Sequence, residues 1–188
     1  METLLELDTD LFLWLNEQHT VWLDVLMFWI SGTKTWIPFY VLLIGILYWK
    51  FKKKTWGILI AILLTIVLAD GFTSKIMKPY FERLRPSHEV ALEGKIHLVE
   101  GYRGGSFGFA SSHAANSFGL ATIFFLFFRR FSKHVLWLFL WAFIVSYSRI
   151  YLGVHYPLDI LVGALVGILS ALLSYTVYRR IEGVRSKK

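Results

Sequence analysis

Cysteine is absent from the 188 residues, which excludes disulfides and thiolate metal sites. The first eighteen residues carry five acidic side chains and no Lys or Arg, so this stretch is not expected to be a cleavable signal. No Gly-x-Gly-x-x-Gly or Walker-type phosphate loop occurs, and no internal repeat, low-complexity tract or second domain is visible. Charge is scarce: 18% of residues are charged, 56% are hydrophobic, and the mean hydropathy is +0.54. Soluble domains hold roughly 45–50% apolar residues, so an ordinary soluble fold is excluded.

What is present is a series of long apolar runs. They cover residues 21–30, 36–49, 56–68 (continuing to 77), 117–128, 135–147 and 158–178. They predict an all-α polytopic membrane helix bundle of about six transmembrane helices, with five as the alternative. The first two runs fall short of the ~20 residues of a full span and read as two short helices or one broken hairpin. Ahead of them, Leu4, Leu5, Leu11, Phe12, Leu13 and Leu15 alternate with Glu6, Asp8, Asp10 and Asn16. That pattern predicts an amphipathic N-terminal segment over 1–20, lying at the interface, capping the protein or meeting a partner. The whole chain, 1–188, reads as a single integral membrane domain.

The formal charge of +7 is dispersed rather than gathered into a stripe, which argues against nucleic acid as a partner. Lys50, Lys52, Lys53, Lys54, Arg129, Arg130, Lys133, Arg179, Arg180, Arg185, Lys187 and Lys188 all fall on one side of the spans. By the positive-inside rule that side is cytoplasmic, so both termini are expected inside and the 79–110 loop outside. At about 32 residues that loop exceeds the ~12–15 usual for an unstructured connection. It is expected to form a lid or substrate mouth.

Three polar blocks then meet at the outer face. Lys78 and Arg85 are seven residues apart beside Pro79 and Pro86, placed either to hold an anion or to serve as topological charge. Lys75, Arg83 and Arg103 are read as topological charge. Ser111 can cap the following helix and leave free amides facing an anion, with His113 in the first turn, although a capping serine beside a structural histidine fits equally. The third block is the sharpest. Arg149 precedes His155, and Asp159 follows four residues later, a spacing that lets the carboxylate orient one imidazole nitrogen and leave the other as nucleophile or base. The alternative is a buried pair that only positions the helix. Asp70, inside the third run, either lines the site, pairs with a cation, or makes a structural hydrogen bond.

These blocks resemble the motifs of the type 2 phosphatidic acid phosphatase (PAP2) family, whose core is shared with bacterial acid phosphatases and vanadium haloperoxidases. Lys78, Arg85 and Pro86 match its first motif, and Ser148, Arg149, His155 and Asp159 its third. In the second, Ser111 and His113 are kept, while Ala110 and Ser112 stand where the family has proline and glycine. The resemblance implies a membrane lipid phosphatase that needs neither cofactor nor metal. It assigns catalysis to His155 as nucleophile, Asp159 as its orienting acid and His113 as proton donor to the leaving oxygen. It assigns phosphate binding to Lys78, Arg85, Ser111, Ser112 and Arg149. The expected partners are a lipid phosphate and the surrounding membrane lipids, with oligomeric state left open. The expected location is a bacterial inner membrane, with the site on the extracytoplasmic side. The leading substrate expectation is undecaprenyl diphosphate, with lipid A, phosphatidylglycerophosphate or a phosphotransferase acceptor as alternatives. A lipid-phosphate-binding protein without turnover is the non-enzymatic alternative.

Overall fold

The computed structural model describes residues 2–185. Met1 of the N-terminal segment, and Lys187 and Lys188 of the C-terminal basic cluster, lie outside the described residues. The helices are α1 (Glu2–Glu17), α2 (Val21–Ser31), α3 (Ile37–Phe51), α4 (Thr55–Gly71), α5 (Lys78–Phe81), α6 (Ser112–Phe128), α7 (Trp137–Tyr151) and α8 (Pro157–Arg185). Among the described residues the β structure amounts to one isolated bridge, Leu84 with Phe107.

Among the described residues three helical stretches are long and apolar enough to cross a membrane, Thr33–Phe81, Lys133–Tyr151 and Pro157–Val184. The first is two legs. Lys52, at φ +50°, ψ −123°, breaks the helix, and Leu43 and Leu47 share a core cluster with Ile58 beyond the turn. The 21–30 and 36–49 runs are separate helices, since α2 packs on α7 while α3 lines a cavity. With 11 residues, α2 is about 16 Å long and cannot cross a hydrocarbon core of ~30 Å.

The centre of the bundle is α6, seated against α8, α7 and α4. Its contact with α8 is made by small residues. A Cβ on Gly163 would overlap the Ser111 carbonyl, and one on Gly167 would overlap the Ala115 carbonyl and stand 2.8 Å from the Gly119 nitrogen. Small residues let helix backbones approach closely where lipid supplies no hydrophobic drive between helices. This seam brings the start of α6 against the start of α8, confirmed by the Ser111 N–H donating to the Asp159 carbonyl at 3.0 Å.

The N-terminal helix is docked on the protein rather than only lying at the interface. Asp8, Phe12 and Asn16, spaced by four, are its buried residues, while Leu7, Leu11 and Trp14 face outward. Its polar groups turn inward because they have partners there. Asn16 donates to the carbonyls of Ile150, Tyr151 and His97 and accepts from the His97 N–H. The 82–111 connection is tied down in the same way. Arg85 N–H donates to Ser106 O and Gly108 N–H to Arg83 O, which zips its two ends together, and Ser87 and Arg103 exchange hydrogen bonds farther along.

Candidate active site

The site forms where α4–α5 and α7 end and α6 and α8 begin. At the start of α8, Pro157 stands where a missing N–H costs nothing. Asp159, two residues on, reaches back to accept the Tyr156 N–H at 3.1 Å, in the manner of a capping box. The same Oδ2 lies 3.2 Å from His155 Nδ1, so the expected pair is formed. A carboxylate on Nδ1 sets the tautomer and leaves Nε2 unprotonated. His155 is 1% and Asp159 0% exposed, so the pair is shielded from solvent.

Asp159 has a second support that its local sequence does not show. Its Oδ1 accepts from Arg83 NH1 at 2.9 Å, and Arg83 NH2 donates to Asp8 Oδ2 at 2.7 Å. Asp8 Oδ1 in turn accepts the Leu158 N–H at 2.8 Å. The guanidinium sits 4.0 Å over the Tyr156 ring. The reading of Arg83 as topological charge is therefore corrected: it is a fork between two buried carboxylates, one of them on α1. Lys75 is exposed, and Arg103 serves as a loop staple.

Cations surround His155. Burial, followed by the charges of Arg85, Arg149, Lys78 and Arg83, holds its pKa well below the usual 6.5. Arg85 donates through Nε to Phe107 O at 3.1 Å, while its NH1 is buried with no acceptor. Arg149 bonds to Ser31 Oγ and, at 3.3 Å, to Tyr102 Oη, while its Nε is buried without a partner. Burial raises the Tyr102 phenol, but the Arg149 hydrogen bond and the charges of Arg149 and Arg85 bring the net shift below the ordinary value. Lys78 Nζ donates to Ser112 Oγ at 3.3 Å, and Ser112 also bonds Thr73 and Ser74 at 2.9 and 2.8 Å. Those two partners lie in the π-helical segment Phe72–Met77, a wide turn often found at functional sites.

Ser111 takes the capping role open to it from sequence. Its hydroxyl accepts from Ala114 N–H at 3.4 Å and its own N–H is given to Asp159 O. Ser111 is thus a cap through its hydroxyl oxygen and a strut through its N–H. The amides free to meet an anion are those of Ser112 and His113, which as the first helical residues have no intrahelical acceptor. Ser111 at φ −69°, ψ 114° needs none of glycine's freedom, and Ser112 is already helical, so the departure at 112 keeps a workable backbone.

Two glycines of the long loop also belong to the site. A Cβ on Gly104 would come 2.6 Å from Arg85 NH1, and its φ is +67°. A Cβ on Gly108 would come 2.9 Å from Asp159 Oδ2 and 3.5 Å from His155 Nδ1. The Gly104-Gly105 pair is thus a turn that makes room for Arg85. A cavity of about 490 Å³ runs inward from Ser112, His113, Asn116 and Asp70, walled by Tyr40, Leu59, Ile62, Leu120 and Trp141 among others. Asp70 Oδ1 accepts from Asn116 Nδ2 at 3.3 Å.

An apolar helix bundle that holds, at one end, a buried histidine–carboxylate pair within a ring of cations is the architecture of an integral membrane protein with a site suited to an anion. The family follows from comparison with known proteins: the sequence model of the PAP2 superfamily matches residues 59–182, and the chain belongs to that family. It is 39% identical over 135 residues to the lipid A 4'-phosphatase of Bacteroides thetaiotaomicron, covering 69% of this chain and 59% of the relative. It is 37% identical over 139 residues to the lipid A 4'-phosphatase of Porphyromonas gingivalis, covering 73% and 59%. The chain thus spans about three fifths of the length of these curated relatives. Among solved structures it is similar to Aquifex aeolicus LpxE (TM-score 0.67, 30% identity, 90% of this chain and 95% of that one). The fold is also that of the PAP2-type phosphatidylglycerolphosphate phosphatase of Bacillus subtilis (TM-score 0.72, 22% identity, 96% and 89%).

Proposed function

We propose that the protein is a membrane lipid phosphatase that removes a phosphate monoester from a lipid of the lipid A type. The observation that carries the reading is the pair of buried, acceptor-less guanidinium nitrogens, Arg85 NH1 and Arg149 Nε, beside a histidine poised by Asp159. Buried N–H groups left without acceptors are costly, and a phosphoryl group supplies the missing acceptors. Both curated relatives are lipid A 4'-phosphatases, which favours that alternative over undecaprenyl diphosphate. The apolar cavity under His113 suits an acyl chain attached close to the phosphate.

In the first half-reaction His155 Nε2 attacks phosphorus, the bond to the lipid oxygen breaks, and His113 delivers a proton to that oxygen. Asp159 stabilises the imidazolium character that develops on His155. Lys78, Arg85, Arg149 and the Ser112 and His113 amides neutralise the equatorial oxygens, which is the main demand of phosphoryl transfer. In the second half-reaction water gives a proton to His113 and attacks phosphorus. The N–P bond then breaks, and phosphate and neutral His155 are returned. The basic turns at Lys52–Lys54 and Arg129–Arg130 lie at the opposite end of the helices from the site, which supports an extracytoplasmic site and a cytoplasmic C-terminal end of α8. Helix α1, packed on the site end through Asp8 and Asn16, lies on the site's side and corrects the expectation of a cytoplasmic N-terminus.

Phosphate release by the purified protein in detergent, with 4'-phosphorylated lipid A, phosphatidylglycerophosphate and undecaprenyl diphosphate compared, tests the reading. Lipid A is expected to turn over fastest. His155→Ala should lower turnover by about 10³-fold or more with an unchanged thermal midpoint. Full activity in His155→Ala would remove the phosphohistidine, and binding without release by the wild-type protein would make it a lipid-phosphate-binding protein.

A further inference from the structure

The mechanism above leaves a charged group of the cavity wall, Asp70, unused. Asp70 lies inside α4 and lines the cavity beneath His113, at a depth where an ionisable side chain is costly and marks function more often than packing. Its Oδ1 takes the Asn116 amide. Among the described residues no hydrogen bond is made to its Oδ2, and the residue lines the cavity. Asn116 Oδ1 is likewise without a donor. Both unmatched atoms are acceptors, so the group that satisfies them must be a donor. Lys78 is within Coulombic reach of Asp70, which offsets the repulsion between this carboxylate and a phosphate bound above it.

We propose that Asp70, held by Asn116, is a specificity determinant that receives an N–H or O–H group carried by the lipid near the start of its acyl chain. The site would then select phosphorylated lipids with amide-linked or hydroxylated chains. Simple ester-linked and isoprenoid chains offer no donor, and would leave the carboxylate desolvated against hydrocarbon. The inference rests on the lipid phosphatase reading and adds the feature of the chain that is read. Its physical basis is the asymmetry of buried hydrogen bonds: a site built around a polar partner rejects an analogue lacking that partner far more strongly than one differing by a methylene.

The test compares two synthetic glucosamine 4-phosphate lipids of equal chain length, one with an amide-linked 3-hydroxyacyl chain and one with a plain ester-linked chain, using the full-length protein in detergent. The wild type should favour the donor-bearing lipid in kcat/KM by about ten-fold or more. Asp70→Leu should erase that preference mainly by raising KM for the donor-bearing lipid. Asp70→Asn, which keeps an acceptor oxygen, should retain much of it. Absence of a wild-type preference, or an equal fall on both lipids in Asp70→Leu with a lowered thermal midpoint in both variants, would overturn the proposal. Equilibrium binding of the same two lipids to the His155→Ala variant applies the comparison without turnover. Equal affinities there would sink the Asp70 proposal alone, whereas a wild-type protein that prefers one lipid in binding yet cleaves neither would sink only the phosphatase reading.

Discussion

Helix α6 presents two unlike faces. Toward α8 it carries Ala114, Ala115 and Gly119, which meet Gly163 and Gly167 at backbone contact. Toward α3 and α4 it carries Asn116, Ser117, Leu120 and Phe124, which line an open cavity. The first face has no room for a methyl group, and the second has room for a lipid chain. The contrast shows how one helix can hold His113 at fixed distance from the His155–Asp159 pair while leaving space for substrate beside it. Close packing is concentrated on the side of the His155–Asp159 pair and relaxed on the side of the cavity.

The largest effect is expected from breaking the tight face. Gly167→Leu forces a side chain into the Ala115 carbonyl, backbone that cannot swing aside, and should cost more than about 3 kcal/mol. The readout is loss of the folded, monodisperse protein in detergent. Gly45→Ala, where an added Cβ meets nothing within 4 Å, should leave the thermal midpoint unchanged. Equal behaviour of the two variants would mean that the seam is not what orders the bundle.

A smaller effect is expected from loosening Asp159 without touching the seam. Arg83→Met removes the fork between Asp159 and Asp8, and should lower kcat by about ten- to a hundred-fold with KM little changed. Asp8→Asn should follow in the same direction with a milder loss. A change in KM alone would assign Arg83 to substrate binding instead.

The open face is sharpened by filling it. Leu120→Trp should raise KM for long-chain lipid phosphates by about ten-fold and leave hydrolysis of a short, soluble phosphate ester as it was. An equal loss on both substrates would show that the cavity is not the chain's path.

The smallest effect is in pH. Burial first, then the four neighbouring cations, holds the His155 pKa well below 6.5, so below that pH the unfolded chain binds a proton that the folded one refuses. Stability should therefore fall as pH drops through 6.5, where it is complete above that value. The thermal midpoint of wild type should slope more steeply below pH 6.5 than that of His155→Gln. A midpoint that rises on acidification would contradict the buried neutral imidazole.

Local spacing made the His155–Asp159 pair legible, because four residues are one helical turn and the pair needs no knowledge of the rest of the chain. The apolar runs likewise announced an all-helical membrane bundle. Arg83 was hidden for the opposite reason. Its partners are 75 and 76 residues away, and a lone arginine beside an apolar run has the same sequence signature whether it snorkels or forks between carboxylates. Gly108 gave no signal because a glycine next to a catalytic pair reads as any loop glycine. Ser111 was placed correctly as a cap, but that its own N–H is taken depended on where the Asp159 carbonyl came to lie.

The sequence by itself determined the class of fold, the helical pairing of His155 with Asp159, and the residue types able to neutralise a phosphate. Only the tertiary structure decided which cations are left without acceptors, which serine is a strut, and that α1 closes the site through Asp8. The physical reason is range. Hydropathy and helical periodicity act over a few residues of chain, whereas hydrogen-bond satisfaction is settled by the partners that packing brings together from distant parts of it.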